Sequence, residues 1–353
     1  MTALPATVPP RFDHSADFDA VKSAYDKCLR EEQRLVECCQ DSNTRWHLVC
    51  VRILGHLIHK SPTDDGVRQV VSAIDSCGED VELHDLGGHY CQAWTRAFKS
   101  AKGRTPSNHP SRGSSDEEAD TFGGTLDVVP ESHAKAKELA LIRDDHRCIV
   151  TGKRDRIAVT SDPKLIAKFT SGELSVDSDM AETQCAHIFS ESSNWNISDV
   201  ATDMWITMRC FGYELLPDEL SGANVNRLEN VMTLTADMRS MFDSFSIWFV
   251  PTVSPHTYKI ETIPSHAIYA ARYGPTVTFR TTDDKLPCPS PTYLKIHAAC
   301  AQVAHLSGAS KWANELGNNL DKYFRKTLAN NGTSAPLLCN ALWAHVLNGS
   351  TVA

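Results

Sequence analysis

The 353-residue chain has no apolar run of about 18 residues, so no segment is suited to cross a bilayer as a helix. Its first residues, MTALPATVPPRFDHSADFD, hold no apolar core, and no secretory signal is expected in them. No Cys-x-x-Cys pair occurs among its 12 cysteines. That spacing argues against a zinc ribbon or a thioredoxin-type redox site. Several of these cysteines fall in apolar helical patterns, where a thiol behaves as a small hydrophobe. The expected setting is reducing and intracellular, in nucleus or cytoplasm. Positive charge is also scarce: 35 Lys and Arg face 44 Asp and Glu, a net charge of −9. A protein that grips nucleic acid by bulk charge is basic, so any contact with a polyanion must here be local or helped by a metal ion. No internal repeat is visible.

What remains is ordinary globular material, 41% hydrophobic and 22% charged. At roughly 150 residues per domain, the length corresponds to about two domains. Residues 16–100 read as a helical region. Phe18, Val21, Tyr25, Cys28, Leu35 and Val36 follow helical spacing, and Trp46 to Ile58 is apolar nearly all round. Val67, Val70, Val71 and Ile74 form a third stripe, with Gly78 placed to close it as a C′ residue. A fourth helix should end with Trp94 and Phe98. Residues 101–131 are rich in Gly, Pro and Ser and poor in large apolar side chains. They read as a disordered linker.

Residues 132–286 change texture. A helix over Ser132–Arg143 precedes extended pieces at Cys148–Val150, Ile157–Thr160, Phe245–Val250, Thr257–Ile263 and Thr276–Thr281. Residues 291–348 return to helix, with an apolar series from Leu294 to Leu306 before Ser307-Gly308. The expected class is α+β: a small mixed core flanked by N-terminal and C-terminal helical regions.

The chemistry concentrates between 143 and 243. Arg143-Asp144-Asp145-His146-Arg147-Cys148-Ile149-Val150-Thr151-Gly152 comes first. Cys185-Ala186-His187-Ile188 follows, then Asn230-Val231-Met232-Thr233-Leu234, and last Arg239 and Asp243, one helical turn apart. These blocks, in this order, resemble the HNH endonuclease family. The matching branch reads R-D-x-x-R-C-x-V-T-G … A-H-I … N-x-x-x-L-x-x-x-x-H-x-x-F-D and is found in fungal HNH-domain proteins.

The resemblance implies a ββα-metal core. His187 would be the general base that activates water against a phosphodiester. Asn230 would orient that histidine or bind the metal. A divalent ion, Mg²⁺, would take ligands from the helix, with Asp243 among them. The function implied is a metal-dependent endonuclease acting on nucleic acid, DNA before RNA. The sequence departs from the pattern at Arg239, where the family has His. A guanidinium has no lone pair for a cation; it can hold a phosphate instead. This favours an alternative: a degenerate HNH fold that binds nucleic acid or protein without cleaving. The helical regions are candidate protein-binding surfaces.

Other features have plainer readings. Cys148 and Cys185 are expected to be core thiols rather than a zinc pair. His297 and His305 share a helix face and should pack. Trp195 and Trp205 should anchor an insertion. Between Glu173 and Glu219 stand ten acids and one base, whereas residues 133–157 hold seven bases and four acids. A nucleic acid would approach on the second side.

Overall fold

The computed structural model describes residues 1–38, 41–98, 129–173, 179–189, 208 and 211–311. Most of the expected linker, Trp195, Trp205 and residues 312–348 of the expected C-terminal helical region lie outside them. The chain is α+β and divides into two units.

The first unit takes residues 1–95, 198–217 and 299–353. It contains α1 (Phe18–Cys38), α2 (Ser42–Lys60), α3 (Asp64–Ser76) and most of α4 (Asp80–Phe98). On α1 the buried stripe is Val21, Tyr25, Cys28 and Leu35; Val36, which the spacing had included, faces solvent. Every residue from Leu48 to Ile58 on α2 is buried, Arg52 and His56 included. The Arg52 charge is met by Glu32 at 2.6 Å. A Cβ at Gly87 would stand 2.3 Å from the Cys50 carbonyl, so only glycine lets α4 come this close to α2. The expected glycine stop for α3 is not used. Cys77 is the C-cap. Gly78 does not adopt a positive φ. Its N–H donates to the Glu82 carboxylate at 2.6 Å.

The second unit takes residues 96–197 and 218–298. It opens with α5 (His133–Arg143), N-capped by the Ser132 hydroxyl. Cys148–Val150, expected as a strand, forms a turn instead. Cys148 N–H donates to the Lys153 carbonyl and Gly152 N–H to the Cys148 carbonyl, each at 2.9 Å. Ile157–Thr160, also expected as a strand, belongs to α6 (Arg156–Ser161). Asp155 ends the short β1 (Arg154–Asp155) and caps this helix by accepting from Ala158 N–H at 2.7 Å. Of the helix's residues only Val159 is buried, so a β-branched run here has no sheet to fill. α7 (Pro163–Thr170) follows, and β2 (Met180–Ala181) pairs in parallel with β1.

The centre of this unit is an antiparallel pair, β3 (Thr183–His187) with β4 (Val231–Thr235), running straight into α8 (Ala236–Asp243). A separate antiparallel sheet holds β5 (Ile247–Pro251), β6 (Thr257–Thr262) and β7 (Thr276–Thr278), as their alternating and β-branched sequences had indicated. Between β6 and β7 runs α9 (Ala267–Tyr273), and the first turns of α10 (Pro291–Ser307) belong to this unit, up to Ala298. An aromatic cluster fills the interior. The ring of His297 stacks on Phe242 with centroids 3.7 Å apart, and Phe98 meets both Phe189 and His297. Among the described residues no helix is long and apolar enough to cross a membrane.

The free edge of β4 has an unusual partner. Arg143 is fully buried. Its guanidinium forms a fork on the Asp144 carboxylate, at 2.8 and 3.0 Å. The same guanidinium donates to the carbonyls of Leu228, Val231 and Pro287, at 2.7, 2.9 and 3.1 Å. Asp144 in turn accepts from Thr233 N–H at 3.1 Å. Ile149 N–H completes the edge by donating to the Thr233 carbonyl at 3.0 Å. These side chains and one loop amide take the place of a third strand. Replacing Arg143 by Ala strands a buried carboxylate and three carbonyls. We expect Arg143→Ala or Asp144→Ala to destabilise the fold by about 3–5 kcal/mol in urea titration, and Arg143→Lys to rescue little.

His297 sets an acid limit. Burial pulls its pKa down to about 3, against a small opposing effect of its bond to the Phe242 carbonyl. Its folded pKa lies below the unfolded value near 6.5, so the unfolded chain binds more protons in between. The stability is complete above about pH 6.5 and is lost as pH falls towards 3. Each such histidine gives a slope of up to about 1.4 kcal/mol per pH unit. Urea midpoints measured from pH 7 to 4 should fall, and less steeply in His297→Leu.

Candidate functional site

Strand β3 alternates, so Thr183, Cys185 and His187 share one face. His187 is the last residue of the strand, paired in register with Val231. Its Nε2 lies 3.0 Å from the Asn226 amide oxygen. An acceptor at that position keeps the proton on Nε2 and leaves the lone pair on Nδ1. Burial draws the pKa of this imidazole down to about 4; the Asn226 bond opposes the shift, and His133 and Arg239 add to it. At neutral pH the ring is therefore uncharged.

Asn230 stands fully buried just before β4. Its amide oxygen accepts from Phe189 N–H at 2.9 Å, and its amide nitrogen donates to the carbonyls of Phe189 and Val225, at 3.0 and 2.8 Å. Asn230 thus clamps the backbone two residues beyond His187, while the imidazole itself is oriented by Asn226. The motifs gave Asn230 the role of orienting His187 or binding the metal and did not indicate Asn226, which ends a short 3-10 helix (Gly222–Asn226) with no periodic signal.

Arg239 and Asp243 lie one turn apart on α8, guanidinium to carboxylate 3.6 Å. Arg239 also donates to the Gln184 amide oxygen on β3 at 3.2 Å. The guanidinium therefore leans across the ββα unit, and its charge is felt at both His187 and Cys185. These two helical positions do not suit a hard ion such as Mg²⁺, which takes oxygen donors. Arg239 has none, and the Asp243 carboxylate already faces a cation.

A different donor set gathers at His187 with no contribution from α8. The ring of His133, the first residue of α5, sits 5.2 Å from it, centroid to centroid. One ligand atom from each of His133, Cys185 and His187 falls within 4.8 Å of the other two. Cys185 is buried among Ala136, Leu139, Ala140, Leu228, Val231 and Leu286. Burial pushes its thiol up to about 12, although Arg143, Arg239 and Lys137 favour the thiolate. The spacing Cys-x-His in a strand could have signalled the pair; nothing local points to His133. Cys148 does not join this group. All nine described cysteines are free thiols.

Residues 148–250 match the family model for HNH endonucleases, so the resemblance inferred from the motifs holds over that stretch. It includes Cys185, His187, Asn226, Asn230, Arg239 and Asp243 and leaves out His133, Arg143 and Asp144. No curated protein and no solved structure matches the chain.

Asn230→Ala leaves three buried backbone groups short of partners and should cost about 2–4 kcal/mol. Arg239→Ala breaks a partly exposed ion pair and one side-chain hydrogen bond to Gln184 and should cost about 1 kcal/mol. Urea titration of the two variants separates a scaffold residue from a site residue.

Proposed function

We propose that this protein acts on phosphodiester bonds of nucleic acid, DNA before RNA, through an HNH-type site in which His187 is the general base. One observation carries the reading: His187 ends β3 of a ββα unit as a neutral imidazole, with Nε2 committed to Asn226 and the Nδ1 lone pair left for a proton. Nδ1 would take the proton of the attacking water as its oxygen bonds to phosphorus. Arg239 would face the charge that develops on the phosphate, in the manner of a phosphate-holding arginine. The resemblance implies a divalent ion, Mg²⁺, near Asp243, but the Arg239–Asp243 pair fits it poorly, and no step here runs through it. A base drawn down to about 4 is weak at neutral pH, so turnover should be slow.

A second reading, binding without cleavage, is favoured by that same ion pair, which fills the helical ligand position. Free thiols suit a reducing compartment, nucleus or cytoplasm. The helical first unit would then serve to bind a protein partner.

Plasmid nicking with Mg²⁺, Mn²⁺ or EDTA tests the site. His187→Ala should lower any cleavage by about 10²–10⁴. Arg239→His removes the cation beside Asp243 and adds an imidazole. It should tighten Mn²⁺ binding and raise nicking, and Asp243→Ala in that background should cancel the gain. Unchanged cleavage in His187→Ala would refute the base assignment. If Arg239→His lowers an already robust activity, Arg239 is a working phosphate clamp.

A further inference from the structure

We infer that His133, Cys185 and His187 form a binding site for a soft divalent cation, Zn²⁺ in the first instance, that takes no donor from the helical ligand positions. Three observations support it. The donors are two imidazoles and one thiol, a set that selects zinc-like ions over Mg²⁺. Their ligand atoms already lie within 4.8 Å of one another. In a tetrahedral site, bonds of about 2.0–2.3 Å put donors roughly 3.3–3.8 Å apart, so closing on an ion needs movements of about 1 Å. The third observation is independent of the cluster. Nε2 of His187 is bonded to an amide oxygen, Asn226 Oδ1, at 3.0 Å, which leaves Nδ1 as the nitrogen with a lone pair for an ion. Zinc-ligating histidines are held in the same way, with the non-ligating N–H donated to a carbonyl or carboxylate.

The elements that make the site are sound supports. Cys185 and His187 are two apart on a strand, so both side chains leave the same face. His133 comes from the first turn of α5, whose Ala136, Leu139 and Ala140 pack around Cys185. His133 is only partly buried, which gives an ion a way in. On binding, the Cys185 thiol loses its proton to solvent and its sulfur donates to the ion. Three protein ligands leave the fourth position for water or an exogenous donor.

The site bears on the proposed function through one atom. Nδ1 of His187 has a single lone pair, which can take a proton from water or ligate a cation, not both. Only this consequence rests on the hydrolase reading: where His187 is the base, zinc occupancy stops cleavage. The metal site itself stands apart from it.

Cobalt spectroscopy on the full chain, stripped with a chelator and kept reduced, is the test. Titration with Co²⁺ should give the intense visible bands of a tetrahedral ion and a thiolate-to-cobalt charge-transfer band, both saturating at one equivalent. Zn²⁺ should displace the ion; excess Mg²⁺ should not. Cys185→Ser should remove the charge-transfer band. His133→Ala, a partly exposed position outside the core, should lose tight binding while keeping the fold. Asn226→Ala should weaken binding by about 10–100-fold. Absence of these bands in the folded wild type, or their survival in both Cys185→Ser and His133→Ala, would overturn the inference. Neither result touches the nicking assay, and a protein that never nicks would leave a positive cobalt spectrum standing.

Discussion

The ββα unit depends on a buried ion pair between neighbouring residues. Two strands alone are marginal in water, and among the described residues no third strand joins β3 and β4. Arg143 and Asp144 stand where that strand would be, meeting the outward backbone groups of Val231 and Thr233. The pair is fully sequestered, and a buried pair is seldom a net source of stability against an apolar substitute. Its value here is positional. A guanidinium has five donors in a fixed plane, and four elements of the unit supply acceptors to them. α5, the turn before β4, the edge of β4 and the segment at Pro287 are thereby held in one arrangement. Lysine could supply the charge but not the geometry.

That arrangement determines what His187 can do. With α5 fixed by its last residue, its first residue, His133, comes to stand beside the end of β3. With the turn before β4 fixed, Asn230 can clamp Phe189 and Asn226 can reach Nε2. His187 therefore has around it both the Arg239 guanidinium, which bridges to Gln184, and two further donors, Cys185 and His133. Burial lowers the proton affinity of the ring most, and the nearby His133 and Arg239 lower it further. Both proposals for His187, base and ligand, call on the one lone pair that the Asn226 bond leaves. An ion at His187 would find no donor in the Arg239 guanidinium, whereas Cys185 and His133 offer a sulfur and a nitrogen.

Much of the architecture was legible because it follows local rules. The strands at 247–251, 257–262 and 276–278 alternate or are β-branched and end at Pro or Gly, and α1 to α4 show clear apolar stripes. The order of the blocks matches the elements of one ββα unit: His187 ends β3, Asn230 precedes β4, and Arg239 and Asp243 lie on α8. What was not legible came from tertiary context. Ile157–Thr160 has strand residues, but Asp155 caps a helix there and no sheet receives them. The Arg143-Asp144 dipeptide read as part of a nuclease signature, whereas its bonds are all to Asp144 and backbone carbonyls or amides of the scaffold. His133 and Asn226 lie far in sequence from the groups they meet, and neither carries a periodic or spacing signal.

The same contrast applies to charge. Counted along the chain, residues 133–157 are a basic stretch, with seven bases against four acids. In space most of these bases already face acids: Lys135 meets Glu138, Arg147 and Arg154 meet Asp145, Lys153 meets Asp179 and Arg156 meets Glu182. Asp179 and Glu182 come from the acidic stretch that sequence counting had set apart as the opposite side. A phosphate backbone approaching here must displace these partners. Each exposed pair is worth no more than about 1 kcal/mol, so displacement is cheap, but the net positive charge left to attract a polyanion is small. Few counterions would be released, and the affinity would depend only shallowly on salt. Discrimination would therefore have to come from a few directed contacts such as the Arg239 guanidinium rather than from a field. A site of that kind suits a short, accessible phosphodiester better than a long duplex held along its length.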